Sequence, residues 1–339
     1  MSELQLEDPV APDRVTGRKS AGATITGLGV ALPSTVKTNE PIAERLGVAP
    51  EWITERTGVV ERRVADPSES LVDYAVAAGA VAIEEAGIPA AEIDLVLVAT
   101  VTHDMLCPAA APLVAARLGT GHAAAMDLNA ACSGFLSAVS MAAAQIETGR
   151  IRHALVVGAD LMHRVIDMDD RGTAGIFADG GGAIVMSACR GETRVGPVFL
   201  ASDGERGHLV EASREEAIIH MKGHDTFRQA VERLEEVSLA AAEGAGRRLD
   251  QIDLFAYHQA NSRIIDAVGQ RLGLDGERVI DCVPKYGNTS AGSIPIALGE
   301  ARSAGRLAAG DTVLLGAFGG GLTWGAVVVE WGGGDLLED

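Results

Sequence analysis

Short runs of uninterrupted apolar residues recur along the chain: DLVLVAT (94–100), HALVVGA (153–159), DLFAY (253–257) and TVLLGAF (312–318). They lack the polar alternation of a half-exposed strand, and they predict strands with helices on both faces of the sheet. A longer stretch, SGFLSAVSMAAAQIETG (133–149), is alanine-rich and apolar all round, which predicts a buried helix. EEAG (84–87) and EGAG (243–246) read as helix ends stopped by glycine, each followed by a buried strand.

These last two stretches belong to an internal duplication. EEAGIPAAEIDLVLVA (84–99) and EGAGRRLDQIDLFAYH (243–258) share Glu84/Glu243, Ala86/Ala245, Gly87/Gly246 and the triplet Ile93-Asp94-Leu95/Ile252-Asp253-Leu254. Further on, Arg117-Leu118-Gly119 precedes Asp127 at the spacing at which Arg271-Leu272-Gly273 precedes Asp281. Gly149-Arg150-Ile151 before ALVVGAD answers Gly305-Arg306-Leu307 before TVLLGAF. Three matches in one order imply two copies of an α/β unit, paired about a pseudo-twofold. The expected division is an N-terminal half over 21–190 and a C-terminal half over 191–333, with residues 334–339 as a tail. Residues 1–20, acidic and Pro-containing, read as a disordered extension and not as a secretory signal. The expected fold is layered α/β with central helices between two sheets.

Composition narrows the partners. A formal charge of -19 argues against nucleic acid or an anionic membrane, and no apolar run is long enough to span a bilayer. Cys107, Cys132, Cys189 and Cys282 are widely spaced with no CxxC, which suits a reducing cytoplasm. The histidines show no HxxxH or HExxH spacing, so no metal is expected.

Candidate chemistry falls on three loops. Cys132 follows the strand AAAMDL at the start of the buried helix, where the helix dipole and unpaired N–H groups favour a thiolate. Two readings stay open there, a nucleophile or an inert small core residue; Cys189 and Cys282, in apolar contexts, fit the inert one. His258 ends a buried strand, as a functional group or as a helix cap, and Asn288 reads equally as an N-cap. The duplication sets the helix near Cys132 against the one near Asn288, and the pseudo-twofold converges all three loops. AFGGGLTWG (317–325) offers backbone N–H groups for close approach but lacks the lysine of a phosphate-binding loop.

Taken together and in order, DLNAACSGF, HQANSRII, GNTSAGSIPIAL and AFGGGLTWG resemble the active-site signatures of the β-ketoacyl-ACP synthase III branch of the thiolase superfamily. The resemblance runs from about Gly27 to Glu330. It implies a duplicated five-layered fold (α-β-α-β-α), a homodimer, and a cytoplasmic acyltransferase with no permanently bound cofactor. Cys132 would take an acyl group from a coenzyme A thioester (acyl-CoA) or acyl-ACP. His258 and Asn288 would stabilise the enolate formed as malonyl-ACP or malonyl-CoA loses CO2. The backbone of Cys132 and Gly320 would form the oxyanion hole. APEWITERTGVVERR resembles the coenzyme A grip, which implies Trp52 and Arg56 with Arg164 as a third contact, and Phe227, Ala260 and Asn261 along the pantetheine tunnel. Arg228 and Arg263, with Arg248 and Arg271, are the candidates for docking an acidic acyl carrier protein.

Three departures touch specificity. Cys107 stands where the family often has a bulky residue reaching into the partner subunit's acyl pocket. The segment from about Ser202 to Gly223 is short, and residues 1–20 have no counterpart. Two other functions are compatible with this pattern: an acyltransferase passing its acyl group to an alcohol or amine, and a non-catalytic partner subunit. An intact Cys, His and Asn set argues against the last.

Overall fold

The computed structural model describes residues 21–337; the expectation for residues 1–20 lies outside them. The first sheet is built from β1 (Gly22–Ala31), β4 (Leu95–Ala99), β5 (Ala124–Leu128), β6 (His153–Leu161) and β7 (Asp179–Cys189). Between β1 and β4 come β2 (Val36–Thr38), α1 (Glu40–Leu46), α2 (Pro50–Thr57), β3 (Glu61–Arg63) and α3 (Leu71–Ala86). Helix α4 (Ala110–Leu118) precedes β5, and α5 (Gly134–Glu147) follows it. The rest of the chain gives β8 (Phe199–Ser202), β9 (Val210–Ala212), β10 (Ile219–Met221), α6 (Gly223–Gly244), β11 (Leu254–Tyr257), α7 (Ser262–Leu272), α8 (Val283–Tyr286), α9 (Ser293–Ser303), β12 (Thr312–Gly319) and β13 (Thr323–Glu330).

The first sheet runs in the order β1-β7-β6-β4-β5 and the second in the order β8-β13-β12-β11. Both have parallel pairing at the centre (β4 with β6, β11 with β12) and antiparallel pairing outward (β6 with β7, β12 with β13). The order repeats, so the duplication written in the sequence is a duplication of topology. The fifth strand of the second sheet is reduced to one parallel bridge, Val279 to Phe255. Where the first half passes directly from β5 into its turn, extra residues here form α8.

All residues of β4 and β6 are buried, as their unbroken apolar sequences predict. Side chains from α3 and α4 pack on the outer face of the first sheet, and those of α6 and α7 on the outer face of the second. The inner faces of both sheets close on α5 and α9 in one core that includes Leu97, Val156, Phe135, Leu136, Ile294, Leu298, Leu315 and Val327. That stacking is the five-layered thiolase-like arrangement. Each buried Leu, Ile, Val or Phe contributes roughly 1.5–3 kcal/mol, so a core of small aliphatic groups holds the layers together without many aromatics. The C-terminal tail is partly structured: Leu336 bridges to Cys189, and Arg190 N–H donates to the Asp335 carbonyl at 2.8 Å. No helix among the described residues is long and apolar enough to cross a membrane.

Candidate active site

Both central helices begin in the same way. A residue with positive φ (Ala131 at 46°, Ser290 at 50°) opens a tight 3-10 turn (Ala131–Ser133, Ser290–Gly292), and the α-helix follows at once. The left-handed conformation costs an L-residue about 1–2 kcal/mol, and an asparagine upstream supports it each time. Asn129 Oδ1 accepts from Ala131 N–H at 3.3 Å, and Asn288 Oδ1 accepts from Ser290 N–H at 2.8 Å. The first turn presents Cys132. In the second turn Asn288 itself faces the site: its oxygen is held by the backbone, so its NH2 is the end left for a ligand.

Cys132, His258 and Asn288 line one cavity of about 420 Å³. The three segments separated in sequence converge there, with Phe318, Gly319 and Gly320 from the β12–β13 turn as a further wall. Gly319 is required by close approach. A Cβ there would lie 2.7 Å from the Cys132 backbone nitrogen. Thr323 fastens this turn to the nucleophile's turn, since its hydroxyl contacts the Ala130 carbonyl (2.9 Å), the Gly320 carbonyl (3.1 Å) and Ser133 Oγ (2.9 Å). The N–H of Cys132, among the first of a helical segment, is one of the donors left unpaired by helix geometry, and Cys132 and Gly320 line the same cavity.

His258 is buried, and burial pushes its imidazole down to about 3, so the ring is neutral at ordinary pH. Its Nδ1 lies 2.6 Å from Ser293 Oγ, and that oxygen also accepts from Gln259 N–H at 3.3 Å. A Ser293 hydroxyl that donates to Nδ1 selects the tautomer that leaves a donor for the cavity. The other nitrogen, Nε2, then carries the ring proton and serves as a donor. Ser293 went unremarked in the sequence; its place five residues after Asn288, on a buried helix end, gave no sign of a histidine partner.

For Cys132 the expectation of a favoured thiolate is corrected. Burial pushes the thiol up to about 11, Ser290 works against that shift, and the negative charge of Asp160 adds to it. Desolvation outweighs the helix terminus, and the resting group is a thiol. Cys189 and Cys282 are buried and raised by desolvation too, away from the cavity.

At the cavity mouth, the Arg56 guanidinium stacks 4.3 Å over Trp52, and Arg263 lies 5.8 Å from the Phe227 ring. Ala260 and Asn261 line the passage, and Asn261 Nδ2 donates to the Arg56 carbonyl at 2.9 Å, joining α2 to the start of α7. Arg164 is not brought to this cavity. It is held by Asp104 at 2.9 Å and by the Glu69 carbonyl, while Arg171 lines the passage instead. Arg171 sits in the acidic run DMDDRGT (167–173). Arg228 is exposed beside Phe227 and lies 3.7 Å from Asp225, and Arg248 and Arg271 are paired with Asp250 and Glu235 at 2.8 Å each. Cys107 is exposed on the loop between β4 and α4, outside this chain's own cavity. The short 202–223 segment forms the β9–β10 hairpin, whose Val210 and Met221 roof the cavity.

Family models agree with this geometry. One, 3-Oxoacyl-[acyl-carrier-protein (ACP)] synthase III, matches residues 126–204, and its C-terminal counterpart matches 242–331. A Streptomyces coelicolor protein named beta-ketoacyl-[acyl-carrier-protein] synthase III 2 is 45% identical over 323 residues, 94% of this chain and 97% of its own length. The chain belongs to the beta-ketoacyl-[acyl-carrier-protein] synthase III family. Among solved structures of this family, the 3-oxoacyl-[acyl-carrier-protein] synthase III of Aquifex aeolicus superimposes with a TM-score of 0.88 at 40% identity, covering 91% of this chain and all of that one. The priming beta-ketosynthase of the R1128 polyketide pathway gives 0.90 at 33% identity, covering 94% and 98%. The protein is thus a transferase of the condensing type, on a thiolase-like fold.

Proposed function

We propose that this synthase takes an acyl group from acyl-CoA onto Cys132 and condenses it with a malonyl thioester, carried by ACP or by coenzyme A, to start a fatty acid or polyketide chain. The observation that supports it most is the pairing of two neutral donors in one cavity: His258 Nε2–H and the Asn288 NH2, both oriented by partners on their far sides. Neutral donors bind a thioester carbonyl weakly and its enolate strongly, because charge on that oxygen grows only as CO2 leaves. The enolate carbon then attacks the acyl-Cys132 carbonyl, whose oxyanion faces the N–H groups of Cys132 and Gly320. The C–S bond to Cys132 breaks, giving the β-ketoacyl product. Splitting the condensation across a covalent acyl-enzyme replaces one difficult step by two easier ones.

In this reading Trp52 and Arg56 grip the coenzyme head, Phe227, Ala260 and Asn261 guide pantetheine, Arg171 takes the place first given to Arg164, and Arg228 and Arg263 meet the acidic carrier. A homodimer completes the acyl pocket. The edge strand β5 carries exposed Met126, and the loop before α4 carries Leu106, 85% exposed, next to Cys107. An exposed apolar strand edge of this kind is a site for pairing with a second copy.

The test is to incubate the protein with acyl-CoA donors and malonyl-ACP and weigh both the intact protein and the products. An acyl adduct on the Cys132 peptide with a β-ketoacyl product is expected. An adduct without CO2 release under any extender would instead favour acyl transfer to an alcohol or amine, and no adduct at all would remove the catalytic reading.

A further inference from the structure

Asp160, near the end of β6, is a fully buried carboxylate outside the cavity. The partners that hold it are neutral: Oδ1 accepts from Thr100 Oγ1, Val101 N–H and Thr102 Oγ1 at 2.9 Å each, and Oδ2 accepts from Ala291 N–H at 3.2 Å. The last contact is informative. Ala291 holds in the second turn the place that Cys132 holds in the first, so its N–H corresponds to the oxyanion donor of Cys132. Asp160 itself aligns with Phe318, which walls the catalytic cavity. The carboxylate therefore fills the counterpart of the oxyanion hole in the half that has no nucleophile.

Between this carboxylate and the nucleophile stands Ser290. Its hydroxyl is buried, the turn that carries it packs against both the Cys132 turn and β6, and its hydrogen bonding holds down the proton affinity of both the Cys132 thiol and the Asp160 carboxyl. Burial raises the proton affinity of both Cys132 and Asp160, and a charge on one disfavours a charge on the other. The other titratable groups that face the thiol's cavity are neutral His258 and, at the mouth, Arg56, Arg171, His224 and Arg263.

We propose that Ser290 relays the thiol proton of Cys132 to Asp160 as the nucleophile attacks, so that the two acids hold a single proton between them. The inference rests on the reading of Cys132 as the acyl acceptor. As the sulfur forms its bond to the thioester carbon, the thiol proton passes to Ser290 Oγ and the Ser290 proton passes to the Asp160 carboxylate. The tetrahedral adduct collapses with cleavage of the bond to the coenzyme sulfur. Asp160 then returns its proton through Ser290 to the departing thiolate, leaving acyl-Cys132, free coenzyme thiol and a regenerated carboxylate. In this relay Ser290 exchanges the proton with the sulfur directly, whereas Asp160 acts through Ser290.

The experiment measures alkylation of Cys132 by iodoacetamide against pH in wild type, Ser290→Ala and Asp160→Asn, resolved by peptide mass so that exposed Cys107 does not contribute. This readout needs no acyl donor, so failure of the relay is separable from failure of the condensation reading, which an absence of acyl-Cys132 from acyl-CoA in wild type would reveal. A relay slows both variants about tenfold or more at neutral pH and moves their profiles upward. The Asp160→Asn result carries the discrimination, because removing a mere like charge would speed alkylation. Faster alkylation of Asp160→Asn, or a Ser290→Ala profile matching wild type, overturns the proposal. If Asp160→Asn does not fold, the Ser290→Ala profile decides alone.

Discussion

The turn carrying Cys132 and the turn carrying Ala291 are the same piece of backbone used for different ends. Each has an asparagine holding a left-handed residue, a 3-10 turn and a central helix. In the first the N–H at the turn faces a cavity, with Gly319 pressed against it; in the second it is already taken by Asp160. The reactive side chains divide the same way. The first half supplies the thiol, and the second supplies His258 and Asn288, where the first has Ala99 and the exposed Asn129. The difference teaches that duplication provides two strained turns and that a reaction needs only one of each kind, facing each other across the pseudo-twofold.

The sharpest way to break that comparison is to move the nucleophile. Cys132→Ala should lose acylation and condensation by about 10⁴-fold or more. Adding Ala291→Cys should restore neither, since Ala291 is 1% exposed and its N–H is occupied. An acyl adduct on residue 291, seen by peptide mass, would show the two turns to be interchangeable. A smaller effect separates the two asparagines. Asn288→Ala should cut malonyl decarboxylation by about 10²–10³-fold, the usual loss of an oxyanion donor, while Cys132 still accepts an acyl group. Asn129→Ala should cost only a cap, about 1 kcal/mol in denaturant unfolding, with decarboxylation measured as CO2 release close to wild type.

A separate effect is on stability against pH. His258 has its folded value depressed, so the unfolded chain takes up a proton that the folded one refuses. The stabilisation is full above the ordinary histidine value of about 6.5 and falls by about 1.4 kcal/mol per pH unit below it, down to about 3. Urea unfolding of wild type and His258→Gln across that window should show the extra slope in wild type only; equal slopes would mean that the ring is protonated in the fold.

Much of this was legible along the chain. Unbroken apolar runs gave buried strands because only a sheet covered on both faces accepts them, and the repeated Ile-Asp-Leu and Arg-Leu-Gly triplets gave the doubled topology. Cys132, His258 and Asn288 were nameable because each closes a strand or opens a helix, where side chains project from a sheet edge. The thiol's ionisation was misjudged, since a helix terminus is a local feature and desolvation is set by everything packed around it. Arg164 and Arg171 could not be told apart, because the direction of a long side chain depends on which acid or carbonyl lies in reach.

By itself the sequence determined the repeat, the strand and helix pattern and the identity of the reactive groups, since periodicity and residue chemistry are local properties. Only the tertiary structure decided that Ser293 orients His258, that Asp160 occupies the second turn, and that Ser290 stands between that carboxyl and Cys132. Those relations join residues more than thirty positions apart through hydrogen bonds a few ångströms long, and such distances come into being only when the two halves close on their shared helices.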